Sequence, residues 1–114
     1  MLFYQGEDIS FRLKGDSVVD FISNDFYVMI YAAEDSSDSI VLSKGDDDVK
    51  QNQNSNVYDC VISHEKTKDM AGVYNMEVLI LDKEGRRSIF KQDSIFEVEF
   101  SYIKGVLDNN TNSE

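Results

Sequence analysis

A chain of 114 residues has the length of one ordinary domain and can bury a core without covalent staples, and its single cysteine, Cys60, excludes an intrachain disulfide. A net charge of −11, from 22 acidic against 11 basic side chains, argues against nucleic acid and against an anionic membrane surface as partners. No run approaches the roughly 18 apolar residues of a membrane span.

The first strand signal follows Gly6-Glu7-Asp8, where Ile9, Phe11 and Leu13 alternate with Ser10, Arg12 and Lys14. Alternation of this kind marks a strand with one buried face. Gly15-Asp16-Ser17 is a turn signal, Val18–Phe21 reads as a short edge strand, and Ser23-Asn24-Asp25 is a second turn. The next strand, from Phe26 to Ala33, is apolar or aromatic at every position. The Phe26, Val28, Ile30 and Ala32 set is assigned to the core, which leaves Tyr27, Met29 and Tyr31 as an outward stripe. A strand apolar on both faces implies cover on both.

Glu34–Ser39 is polar, Ile40–Ser43 is a short strand, and Lys44–Ser55 is the longest polar stretch, expected to be a mobile loop at one end of the fold. Val57–Ile62 alternates again, with Tyr58, Cys60 and Ile62 inward. Ser63–Asp69 has room for one helical turn with Ser63 as its N-cap. The polar corner Thr67–Gly72 then leads into the longest alternation, with Tyr74, Met76, Val78 and Ile80 on one face and Asn75 and Glu77 on the other. Gly72-Val73-Tyr74 at a corner has the form of a tyrosine corner, in which the phenolic hydroxyl bonds to backbone just upstream.

Asp82-Lys83-Glu84-Gly85 reads as a type I turn closed by a left-handed glycine. A return strand runs over Arg86–Lys91, Gln92-Asp93-Ser94 breaks it, and Phe96, Val98 and Phe100 alternate in a last strand. Short strands separated by turns, with scarcely any helical periodicity, predict an all-β, immunoglobulin-like antiparallel β-sandwich of about seven strands. Residues 1–107 form the single domain and the polar residues 108–114 a disordered tail. Proline is absent, so the sheet edges must be protected by charge, bulges or partners.

Candidates for chemistry are few. Cys60 and His64 are i and i+4, roughly 13 Å apart on a strand, too far for a nucleophile and its base. Cys60 reads as a buried thiol and His64 as a capping or surface residue. Asp46, Asp47 and Asp48 beside Gly45 form a weak candidate calcium loop, since calcium takes oxygen ligands from such loops. Their consecutive spacing lacks EF-hand order, and a cage would need Glu34, Asp35 and Asp38 at the same end. No catalytic residue and no cofactor is implied. The stripe Tyr27, Met29 and Tyr31 is the binding candidate, because aromatic residues and methionine are enriched in interfaces. Outward Val57, Val61, Val73, Leu79 and Leu81 would widen it. Cover by the chain's own loops and stacking on a small ligand such as a sugar are the alternatives.

Gly6-Glu7-Asp8-Ile9-Ser10-Phe11-Arg12-Leu13 resembles the opening strand of the N-terminal domain of phage baseplate upper proteins and of related prophage Ig-like modules. Asp69–Val78 followed by Asp82-Lys83-Glu84-Gly85 resembles the hairpin of that family, and order and spacing agree across residues 6–100. Val18-Val19-Asp20-Phe21-Ile22-Ser23 replaces the family's Asp-Leu-Thr-Gly segment. Met76 stands where antibody domains carry their second cysteine, and the core tryptophan is absent. The resemblance implies a non-catalytic structural module that docks a tail component, with a protein partner or self-association and no nucleic acid or membrane. The alternative reading is carbohydrate- or calcium-dependent recognition. Residues 1–8 lack the basic-then-apolar order of a secretory signal, so the expectation is cytoplasmic synthesis, with virion association following from the resemblance.

Overall fold

The computed structural model describes residues 1–104, so the expected polar tail at 108–114 lies outside the described residues. Eight strands and one short helix follow in the order β1 Leu2–Tyr4, β2 Ile9–Lys14, β3 Asp25–Ala32, β4 Ser39–Ser43, β5 Val49–Gln51, β6 Val57–Ile62, α1 His64–Thr67, β7 Gly72–Leu81 and β8 Arg87–Glu99. They form two sheets, ordered β1-β8-β7-β3-β4 and β2-β6-β5, which makes the protein an all-β, sandwich-like fold. All pairings are antiparallel except that of β1 with β8.

The core follows from the alternation. Phe26, Val28, Ile30, Tyr74, Val78, Ile80, Phe96 and Val98 from the large sheet meet Ile9, Leu13, Tyr58, Cys60 and Ile62 from the small one, all buried. Burying a side chain such as Phe or Ile contributes about 1.5–3 kcal/mol. Met76 is only half-buried, packed against the edge of this cluster. At one end, Phe26 packs edge-on against Phe21 and Tyr58, with ring centroids 5.1 and 5.0 Å away.

Several expectations are corrected. Val18–Phe21 is no strand. Asp16 Oδ1 accepts the Val18 and Val19 amides at 2.8 and 2.7 Å, and Asp20 Oδ1 those of Ile22 and Ser23, which turns the backbone into a loop that cannot pair. Asn56 holds this loop, accepting the Phe21 amide through Oδ1 and donating to the Val19 carbonyl, both at 2.8 Å. The Asn56 amide occupies the place where Gly15 would carry a Cβ, so only glycine fits there. The stretch Lys44–Ser55 is not one loop, since Val49–Gln51 pairs with Cys60–Tyr58.

Gln92–Ser94 does not end a strand either. Tyr74 pairs with Phe96 and Met76 with Gln92, so the single Asn75 of β7 faces Asp93, Ser94 and Ile95. This is a β-bulge inside one continuous β8. Ser94 adopts φ 53°. Its amide donates to Asn75 Oδ1 at 2.8 Å, which satisfies the buried Asn75 side chain on the face opposite Tyr74.

The helix α1 starts after Ser63, as expected, but the Ser63 side chain makes no capping bond. Asp8 at the entry to β2 replaces it: Oδ1 accepts the His64 amide at 2.6 Å and lies 2.9 Å from Nδ1 of the ring. The His64 amide, more than any other contact, holds the Asp8 carboxyl below its ordinary 3.8. Because the folded value is lowered, the stabilisation is complete above 3.8 and disappears as pH falls through the lower folded value. Asp8→Asn is expected to cost roughly 0.5–1 kcal/mol near neutrality, in the lower part of the capping range because the group is solvated. Urea titrations of both chains check this, with the difference closing well below pH 3.8.

Candidate functional site

On the outer face of the large sheet the register decides which side chains meet. Ile89, Leu79 and Tyr27 lie directly opposite one another across β8, β7 and β3. The next row on the same face is Lys91, Glu77, Met29 and Val41, and beyond it Asn75, Tyr31 and Ser39. Arg87, Leu81 and Asp25 close the other end. Tyr27, Met29 and Tyr31 are therefore brought together on one face, as expected. Tyr27 is 36% exposed, Met29 and Tyr31 half-buried.

Of the apolar residues expected to widen the stripe, Val73, Leu79 and Leu81 belong to this sheet, but Val57 and Val61 do not. Those two lie on β6 in the other sheet, because alternation gives the face of a strand and not the sheet to which it belongs. Ile89, 66% exposed, and Val41, 54% exposed, complete the patch and were not anticipated. The signal for Ile89 lay in the turn: pairing Asp82 with Arg86 across Gly85 places Ile89 opposite Leu79.

Polar groups frame the patch. The Tyr27 hydroxyl donates to Asp25 Oδ2 at 3.2 Å. Lys91 Nζ lies 3.7 Å from Asp93 Oδ1, and Asp93 above all, with the Tyr31 hydroxyl and Glu77, holds the ammonium above its ordinary range. One row of the face is thus apolar across three strands, and the row beside it carries Lys91 and Glu77.

The acidic loops do not converge. Asp46 follows β4 and accepts the Ser43 amide through Oδ2 at 2.8 Å, whereas Glu34, Asp35 and Asp38 precede β4. The two groups therefore sit at opposite ends of that strand. Among the described residues no three His, Cys, Asp or Glu side chains gather closely enough to hold a metal ion. Cys60 is fully buried and burial pushes its thiol up to about 12, which leaves it protonated and unreactive at neutral pH. No helix among the described residues is long and apolar enough to cross a membrane.

Comparisons with protein families, with curated proteins and with solved structures find no match for this chain.

Proposed function

We propose that this chain is a non-catalytic, immunoglobulin-like structural module that docks a protein partner, or a second copy of itself, through the outer face of its large sheet. The apolar row Ile89–Leu79–Tyr27, continued by Met29 and Val41, carries the reading. Monomeric proteins rarely leave an apolar patch of that breadth in water without a use for it. Aromatic residues and methionine in the patch match the composition of interface cores, and Glu77 on the middle strand is the charge that lies among them.

The strand order supports the immunoglobulin-like part. In sequence order β2, β6 and β5 occupy the places of strands B, E and D, and β8, β7, β3 and β4 those of G, F, C and C′. Tyr74 stands near the start of the F-like strand, with its hydroxyl on the corner backbone at Ala71. Membership of a phage or prophage tail assembly is the proposal that the motif resemblance adds, and neighbouring tail or baseplate genes would support it.

Sedimentation over a concentration series tests docking between copies. Added salt is expected to promote association, because it screens the repulsion of chains carrying −11 each. Leu79→Lys, which places a charge at the centre of the row, is expected to weaken association at least about tenfold. A chain that stays monomeric at millimolar concentration and high salt would overturn self-association and leave only a foreign partner. Calcium- or carbohydrate-dependent recognition at Asp46–Asp48 is the competing reading, and micromolar calcium or glycan binding by calorimetry would replace docking with it.

A further inference from the structure

The edge of β8 is occupied for only part of its length. The short β1 pairs with Glu97–Glu99, and among the described residues no strand lies beside Arg87–Gln92 on that side. The hairpin fixes which peptide groups are left over. The Asp82 amide donates to the Arg86 carbonyl at 3.0 Å, so alternate residues Ser88, Phe90 and Gln92 turn their peptide groups towards β7. Those of Arg87, Ile89 and Lys91 point outwards. At the far end of the same edge, the Glu97 amide donates to the Met1 carbonyl and the Gln5 amide to the Glu99 carbonyl. The bulge has not changed the phase, and β1 shows that this edge accepts a strand.

The side chains along the open stretch select what can bind there. On the outer face Arg87 and Lys91 flank Ile89. On the inner face Phe90 remains 46% exposed over a cleft of about 220 Å³, in which Val18, Val19 and Ile80 form the apolar part and Asp20, Asp82 and Arg86 the polar rim. Segment 86–92, Arg-Arg-Ser-Ile-Phe-Lys-Gln, contains three bases and no acid in a chain of net charge −11. Pairing two copies of this edge about Ile89 would set Arg87 against Lys91 of the other copy, and like charges directly opposite are destabilising.

We propose that Arg87–Gln92 is a strand-addition site for an extended segment of another protein that reads acid–apolar–apolar–β-branched–acid. The incoming strand runs antiparallel to β8. Its acids stand opposite Arg87 and Lys91 and its middle residue opposite Ile89. The apolar residue opposite Phe90 enters the cleft beside Val18. Main-chain hydrogen bonds to the three free peptide groups supply affinity, and the alternating side chains supply selectivity. This site is the edge of the sheet and shares only Ile89 with the apolar row of the docking face.

The test uses a capped peptide, Ser-Glu-Val-Val-Thr-Glu-Ser, and the full chain. Saturable binding by fluorescence anisotropy is expected, with slowed amide exchange at Arg87, Ile89 and Lys91. N-methylation of the second Val, which faces Ile89, is expected to abolish binding, whereas the same change at the first Val is tolerated. Arg87→Glu is expected to weaken the peptide about five- to tenfold. Arg87 has no ion pair among the described residues, so this variant keeps the fold. Lys14→Glu, which reverses one exposed charge on β2 in the other sheet, leaves peptide binding unchanged. Absence of binding at millimolar peptide, equal binding of a peptide with both Glu replaced by Lys, or unprotected amides at these three positions would overturn the proposal.

Discussion

Replacing Tyr74 by Phe is expected to cost about 1–3 kcal/mol, and replacing it by Ala about 3–5 kcal/mol. The ring is 1% exposed, tilted against Phe96 with centroids 5.6 Å apart. Its hydroxyl accepts the Ala71 amide at 3.1 Å and donates to Asp38 Oδ2 at 2.7 Å. It thereby ties the corner before β7 to the loop between β3 and β4. Phe keeps the packing and strands both partners; Ala also opens a cavity. At a total stability of roughly 5–15 kcal/mol, the Ala variant approaches the limit of folding. Urea midpoints measure both changes, and a Phe variant as stable as the parent would show that the hydroxyl contributes nothing.

The same hydroxyl gives the protein a signature in alkali. Burial first, then the bond to Asp38, pushes the Tyr74 hydroxyl up from 10.0 to about 12. A raised folded value means that the contribution is intact below pH 10 and is lost as pH climbs towards 12. Tyr74→Phe removes that part of the alkaline slope. Cys60, raised from 9.0 to about 12, adds a decline of the same sign that the variant retains.

Lys44→Met is expected to cost about 2–3 kcal/mol, because a hydrogen bond from a charged donor contributes roughly 1.5–3 kcal/mol. Lys44 Nζ donates to the carbonyls of Phe21, Ile22 and Asn24 at 2.8, 2.8 and 2.7 Å. It also lies 6.0 and 5.8 Å from the ring centroids of Phe26 and Tyr58. One ammonium thus closes a loop that has no ladder of its own. Met preserves the apolar stem and leaves three carbonyls without their donor. Arg falls between the two, since a planar guanidinium cannot converge on three acceptors as an ammonium can. Denaturant midpoints, together with faster amide exchange at Phe21 and Ile22, check the prediction. Unchanged values for the Met variant would mean that water replaces the ammonium at no cost.

The interior was legible wherever a strand was long and had one wet face. Ile9 and Leu13, Tyr58 to Ile62, and Tyr74 to Ile80 declare themselves by period two, and even the doubly apolar β3 alternates as its sequence implies, with Phe26 inward and Tyr27 outward. Polar satisfaction was harder to read. Val18–Phe21 has strand composition, yet Asp16 and Asp20 capture its amides locally. Val49–Gln51 has one buried side chain and is a strand only because β6 supplies its partners. Leu2–Tyr4 depends in the same way on a β8 found some ninety residues later.

The proposed docking face was half legible for a related reason. Tyr27, Met29 and Tyr31 announce themselves on one strand, but a patch is built from rows running across strands. Rows follow from register, which only the Asp82–Gly85 turn discloses for Ile89. The identity of a partner is written in a different molecule and leaves no mark in this one beyond shape and charge.

The excursion at Asn75 gives this chain a place to change in length. Three residues of β8 stand against one of β7, an excess of two. Losing one of Asp93, Ser94 and Ile95 would leave two residues against one, the ordinary form of a bulge, and losing two would leave regular pairing. In either case the extra backbone is absorbed where it arises, and Phe96 and Val98 keep their place in the interior.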